Sequence, residues 1–294
     1  MLTDLSNDRV IHIKTGKVQY LQFRKLLEYK DKINHAYSLG TNVNFRTAIN
    51  GKPEVSSKQY KLAKKSYKQI CKAIGSKYRN IVKPRQCHTN NILAVKNKTN
   101  IFSPDFNLEK YKKTDGLVTN KKNILLATTN ADCILFLLYD PVKNVIANVH
   151  SGWKGTLKRI VVQAVNKMMN EFGCKPKNII CCICPSIRKC HFEVSQDVKE
   201  LFQNEFGYLE GSSYVDDQGN KITINLDDII EEKQNKWNID TVLINKVLMQ
   251  NMGLIPENII DSGICSMCNP NLIHSYRTEK EGFGLETALI ELKK

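Results

Sequence analysis

The run Ile134-Leu135-Phe136-Leu137-Leu138-Tyr139 sets the tightest limit on what this chain can fold into. It shows no polar alternation, so a strand there is buried on both faces and its sheet needs a packed layer on each side. Asp140-Pro141 ends the run, and Asn144 to Val149 is the next strand, delivering His150 at its carboxyl end. Gly152 and Gly155 permit a tight turn after it. Thr156 to Phe172 then reads as an amphipathic helix, with Ile160, Val161, Ala164, Met168 and Met169 inward. Cys133 stands just before the first strand, so a thiol and an imidazole can point into one crevice.

Elsewhere the apolar spacing predicts a helix over Ser56 to Ile74. Ile81 to Pro84 and Asn91 to Val95 read as two strands joined by a turn that carries Gln86-Cys87-His88. Gly116 to Thr119 and Asn123 to Thr128 read as strands, with Asn120-Lys121-Lys122 between them, and Ile179 to Ile183 as another buried strand. Ser195 to Phe206, Asp227 to Asn238 and Thr241 to Met252 read as helices, the last closed by Gly253. Ile259 to Ile264 and Ala288 to Leu292 are short strands. Strands and helices intermix without strict alternation, which predicts an α/β (α+β) protein with a mixed sheet. No repeat, low-complexity tract or linker divides residues 1–294, so one domain is expected.

Composition narrows the class further. At 294 residues, with 41% hydrophobic and 25% charged residues, the chain resembles an ordinary globular protein with a sizeable core. No segment approaches the roughly 18 apolar residues that span a bilayer. The start Met1-Leu2-Thr3-Asp4-Leu5-Ser6-Asn7-Asp8 is too polar for a signal peptide, so a cytoplasmic protein is expected. In that setting the ten cysteines are expected free or metal-bound rather than paired. Cys181, Cys182 and Cys184 lie in an apolar run and read as small buried hydrophobes. Cys265-Ser266-Met267-Cys268 has the spacing of half a zinc ribbon or of a redox motif, but no second pair stands at ribbon spacing and no thioredoxin-like unit surrounds it. The net charge of +15 is lysine scattered over Lys61 to Lys83 and Lys110 to Lys122, without a nucleic-acid-binding motif. Solvated lysine-rich faces that also attract anions are the expectation.

His88, Cys133 and His150 are two imidazoles and a thiol, the donor types that zinc prefers, and three protein ligands leave a position open for water or substrate. Each also has an ordinary structural reading: a hydrogen-bonded turn histidine, a strand-edge hydrophobe and a strand-end histidine. The surrounding blocks tip the balance. Gln86-x-His88, Asp115-Gly116, Ala131-Asp132-Cys133 and His150-x-Gly152-Trp153-Lys154-Gly155 occur in the order of the YfiH-like family. Its members are labelled polyphenol oxidases (laccase-domain proteins) and purine nucleoside phosphorylases. Pro185-Ser186-Ile187, Cys190, Glu193-Val194, Leu226-Asp227, Cys265 and Ser275-Tyr276-Arg277 extend the resemblance from about His35 to Leu292.

The resemblance implies a layered sandwich of mixed β-sheets with outer helices. It implies a zinc or copper ion on His88, Cys133 and His150, with Asp132 relaying protons or supporting the ligands. Activities implied are phosphorolysis of adenosine, inosine or methylthioadenosine to the base and ribose 1-phosphate, and deamination of adenosine. Arg46, Lys154 and Arg277 are the matching candidates for phosphate. Lys154, Thr278, Leu285 and Cys184 depart from the usual pattern, which bears on substrate preference more than on the metal. Purine nucleosides and phosphate are the expected partners, without nucleic acid or membrane, in a monomer or weak homodimer. Three other readings stand beside it: a copper-dependent polyphenol oxidoreductase, a cysteine hydrolase using Cys133 and His150, and a basic RNA-associated protein without catalysis. The first needs histidine-rich copper motifs, and six histidines with no His-x-His pair do not supply them.

Overall fold

A computed structural model describes residues 4–47, 57–97, 100–103, 108–233 and 236–294. Two mixed six-stranded sheets stack face to face. In the first, the strands run in the order Val10–Thr15, Val18–Phe23, Ile33–Leu39, Glu286–Leu292, Leu125–Asn130 and Ile81–Val82. In the second the order is Ile259–Asp261, Ile180–Ile183, Ile134–Asp140, Val145–Ser151, Gly116–Thr119 and Ile92–Ala94.

This stacking explains the continuous apolar run from Ile134 to Tyr139. Ile134, Phe136 and Leu138 pack against the helices Ile160–Phe172 and Thr241–Asn251. Leu135, Leu137 and Tyr139 pack between the two sheets, with Leu21, Tyr37, Leu126 and Ile290. Successive side chains on a strand point to opposite faces, so a strand with a layer on each side is apolar throughout. The outer face of the first sheet is covered by the helix Lys58–Ala73, whose Tyr67, Ile70 and Cys71 meet Ala36, Leu125, Ala127 and Leu289. Ser57 caps that helix by accepting the Tyr60 amide at 3.1 Å, and Ser56, the expected start, lies outside the described residues. The layers therefore run helix, sheet, sheet, helix. No helix among the described residues is long and apolar enough to cross a membrane.

Several expected elements differ. Ile81–Val82 and Ile92–Ala94 do not pair with each other: the turn of His88 leaves one sheet and enters the other. The same holds for Gly116–Thr119 and Leu125–Asn130. Local patterning marks a strand but not its partner, which is set by packing across the whole sheet. The helix expected from Thr156 breaks at Arg159, whose φ is +54°, into Trp153–Leu157 and Ile160–Phe172, with Met169 only partly buried. The apolar spacing continues across the break, which conceals it. The helix expected over Asp227 to Asn238 is a short helix, Leu226–Ile229, closed at its start by reciprocal Asn225 and Asp228 capping bonds. The paired strands Ile230–Lys233 and Lys236–Ile239 follow it, with residues 234 and 235 of the expected helix outside the described residues. The strand expected over Ala288 to Leu292 begins two residues earlier, at Glu286, and lies in the middle of the first sheet.

Candidate active site

His150 lies within its strand, opposite Leu135, and is buried with only 3% of its surface exposed. Gly116–Thr119 flanks that strand, and the residue leading into it, Asp115, organises the site. The Asp115 carboxylate is fully buried and accepts the His150 Nδ1 proton at 2.9 Å. It also accepts the backbone amides of Cys87, His88 and Thr89 at 3.0, 2.9 and 2.7 Å, and the Thr89 hydroxyl at 2.7 Å. One carboxylate thus anchors both the strand of His150 and the turn of His88. With Nδ1 held, Nε2 is the nitrogen of His150 that can give up its proton and present a lone pair. The turn is under backbone strain, His88 adopting φ +58°. Gln86 pins its other end to Thr129, donating to the carbonyl at 2.6 Å and accepting the amide at 2.9 Å.

Cys133 Sγ lies 3.8 Å from His88 Nε2, and the two imidazole rings stand edge to face with centroids 5.0 Å apart. Donor atoms of His88, Cys133 and His150 all fall within 4.8 Å of one another. Gly152 permits this closeness. A Cβ there would stand 2.3 Å from His88 Cδ2 and 3.2 Å from Cys133 Sγ, so no larger residue fits while His88 holds its place. The charges are coupled as well. Burial pushes the Cys133 thiol up, but His150 and His88 outweigh it and bring it to about 6. Burial pushes His150 down, but Cys133 and Asp115 raise it to about 9. Asp115 is held at about 2, the bonds from His150 and Thr89 overcoming its burial. Each charge stabilises the other, which favours the thiolate of Cys133 and the protonated imidazole of His150.

Asp132, beside Cys133, also has positive φ, +83°. Its carboxylate accepts the hydroxyls of Ser266 and Ser275 at 2.6 and 3.0 Å and the Arg277 amide at 2.9 Å. This ties the segment from Ser266 to Arg277 to the strand end that carries Cys133.

These residues open onto a pocket of about 840 Å³, a volume suited to a small-molecule ligand. Arg46, Lys83, Arg85 and Arg277 give its wall positive charge; Trp153, Phe192, Tyr276 and Phe283 give it aromatic surface. Arg46 stacks 3.9 Å above the Phe283 ring and donates to the Phe283 carbonyl at 2.8 Å. Burial and the neighbouring Arg46 charge lower Lys83 to about 8. Arg277 donates to the Glu193 carbonyl. Of the residues singled out in the sequence, His88, Asp132, Cys133, His150, Arg46 and Arg277 line this one pocket. Lys154 does not. It is exposed, with its ammonium 5.1 Å from the Trp153 ring centroid, because the turn into the helix Trp153–Leu157 faces it outward. Sequence reasoning gave Asp115 no role and passed over Lys83 and Arg85. The Asp-Gly block and the basic Lys83-Pro84-Arg85 just ahead of His88 were the available signals.

Stacked mixed sheets with a thiolate–imidazole pocket at their strand ends define an enzyme of the laccase-domain type. The chain belongs to the family described as multi-copper polyphenol oxidoreductase laccase, whose model matches residues 47–293. It is similar to the human purine nucleoside phosphorylase LACC1, 25% identical over 236 residues, covering 79% of this chain and 48% of the relative. The Bacillus subtilis purine nucleoside phosphorylase YlmD is 30% identical over 182 residues, covering 62% of this chain and 60% of the relative. Both matches thus span less than two thirds of the relative. Adenosine deaminase RL5, from an unknown prokaryotic organism, is 28% identical over 200 residues, covering 67% of this chain and 70% of the relative. The fold matches the crystal structures of YfiH from Bacillus licheniformis, with TM-score 0.75, 22% identity and 93% and 96% of the two chains covered. It matches YlmD from Geobacillus stearothermophilus with TM-score 0.75, 18% identity and 99% and 100% covered.

Proposed function

We propose that this chain is a zinc-dependent purine nucleoside phosphorylase that also deaminates adenosine in the same pocket. The observation that carries the reading is the joining of a His/Cys/His donor group to a cationic, aromatic-walled pocket. The donor set fits zinc: two imidazole nitrogens and a sulfur that its neighbours bring to the thiolate form, with Gly152 clearing the space between them. His88 Nε2, Cys133 Sγ and His150 Nε2 would hold the ion. When bound, it supplies Lewis-acid chemistry toward a substrate oxygen or water.

The remaining work falls to the chain's own side chains. Asp115 keeps the proton on His150 Nδ1, orients that imidazole and holds the backbone of the turn that carries His88. Asp132 acts as a positioning residue, since three donors already occupy its carboxylate. Arg46, Lys83 and Arg277 form a cationic cradle for phosphate. In phosphorolysis a phosphate oxygen bonds to C1′ of the ribose. The C1′–N9 bond breaks with its electron pair moving to the purine, which takes up a proton as it departs. Lys83, at about 8, can supply that proton near neutral pH. The aromatic walls suit a planar purine.

The test is product analysis on adenosine, inosine and methylthioadenosine, with and without phosphate, using zinc-loaded protein. Free base with ribose 1-phosphate only when phosphate is present, and inosine from adenosine, are expected. Absence of both overturns the proposal. The Cys133–His150 pair also matches the nucleophile and base of a cysteine hydrolase. Turnover that survives complete metal removal would favour that reading.

A further inference from the structure

A second group of metal-binding side chains lies outside the site described above and shares no residue with it. Cys190 and His191 stand on the loop between the strands Ile180–Ile183 and Glu193–Val194. Cys265 and Cys268 follow the strand Ile259–Asp261. The fold brings these two stretches side by side: Ser186 and Cys265 form a parallel bridge, and the Ser266 amide donates to the Ser186 carbonyl at 3.0 Å. The donor atoms of Cys190, His191, Cys265 and Cys268 then fall within 4.8 Å of one another.

We propose that Cys190, His191, Cys265 and Cys268 hold a structural zinc ion. His191 Nδ1 lies 3.1, 3.6 and 3.6 Å from the sulfurs of Cys190, Cys265 and Cys268. A tetrahedral zinc about 2.3 Å from sulfur and about 2.0 Å from nitrogen sets such donors about 3.5 Å apart. All four cysteine and histidine donors come from the protein, with no position left for substrate, which is the pattern of a structural rather than a catalytic ion. The three cysteines are unpaired thiols. The Cys265 carbonyl accepts the Asn269 side chain at 2.9 Å, which steadies the C-x-x-C turn.

Such an ion would pin one wall of the pocket. Phe192 and Glu193 line the pocket directly after the first pair of ligands. Ser266, between the second pair, donates to Asp132 beside Cys133. The ion therefore acts as a clamp between the two wall segments and differs from the ion proposed at His88, Cys133 and His150.

Metal content by elemental analysis, on protein reconstituted with zinc and freed of loose metal, tests this directly. About two zinc ions per chain are expected. Cys268→Ser should lower that to about one, and Cys133→Ala should also leave about one. If the first site held no zinc, wild type would bind one ion, lost in Cys268→Ser and kept in Cys133→Ala, so the two proposals fail separately. A readout on wild type avoids any folding defect. Cys87, Cys190 and Cys268 are all exposed, yet in zinc-loaded protein only Cys87 should alkylate at once. Cys190 and Cys268 should follow only after a strong chelator is added. Zinc wholly lost in Cys133→Ala, or Cys190 and Cys268 alkylating as fast as Cys87, overturns the clamp.

Discussion

Gly152→Ala is the smallest change that should empty the site of His88, Cys133 and His150. The added methyl carbon would sit 2.3 Å from His88 Cδ2 and 3.0 Å from Nε2, where non-bonded carbons rest at about 3.5–4.0 Å. The imidazole must therefore retreat by about 1.2 Å or more. Metal–ligand distances hold to within about 0.2 Å, so a shift of that size removes His88 from the coordination shell. Backbone strain adds nothing, because Gly152 has φ −70°, a conformation open to alanine. Disturbing a ligand's support alone costs about 10–100-fold in affinity, so loss of the ligand itself should weaken binding by at least about 100-fold. Gly155→Ala is the control, its nearest contact being the Ser151 hydroxyl at 3.2 Å. Competition with a chromophoric chelator, beside thermal melts, reads both variants. Wild-type affinity in Gly152→Ala, with His88 still bound, would refute the reasoning.

Asp115→Asn should cost about 10–100-fold in zinc affinity at the same site, since the amide cannot replace the anion shared by His150 and the Cys87–Thr89 amides; titration with a chelator checks it. Arg46→Gln or Lys83→Gln should slow phosphate-dependent cleavage about ten- to a hundredfold, as expected for losing a charged hydrogen bond, while Lys154→Ala stays near wild type. Equal effects of all three on ribose 1-phosphate release would contradict the placement of the cradle. Burial holds His35 down at about 3, where the folded state resists a proton that the unfolded state takes up at about 6.5. Stability should therefore be intact above about 6.5 and fall by up to about 1.4 kcal/mol per pH unit below it. Urea unfolding at pH 7 and about 4.5 should show wild type losing about 2–3 kcal/mol more than His35→Gln, and parallel losses would exclude His35 as the cause.

How far the sequence discloses this molecule depends on the range of the forces involved. The Ile134–Asp140 strand was legible because a two-faced core leaves a continuous apolar run. The three candidate donors were legible because the blocks around them resemble a family. Asp115 was seen but not understood: its function lies in five bonds to residues far along the chain, which no local pattern encodes. Asp227 to Asn238 misled because its apolar spacing also fits a helical face, while Ile230 and Trp237 serve a pair of strands instead. The first hairpin, Val10–Thr15 with Val18–Phe23, went unread although Gly16, at φ +60°, marks its turn. The Cys265–Cys268 pair seemed isolated because its companions, Cys190 and His191, reach it only through the fold.

The place of Glu286–Leu292 also governs when the molecule can be completed. This strand separates Ile33–Leu39 from Leu125–Asn130 in the first sheet, although every other strand of that sheet precedes it in the chain. A growing polypeptide therefore holds the opening hairpin and its neighbour on one side of a gap, with Leu125–Asn130 and Ile81–Val82 on the other. No backbone ladder joins the two halves until residues 286–292 have left the ribosome. During that interval the edges of both halves stay open to pairing with other chains. Synthesis in the cell should therefore depend on a chaperone far more than refolding of the finished chain does.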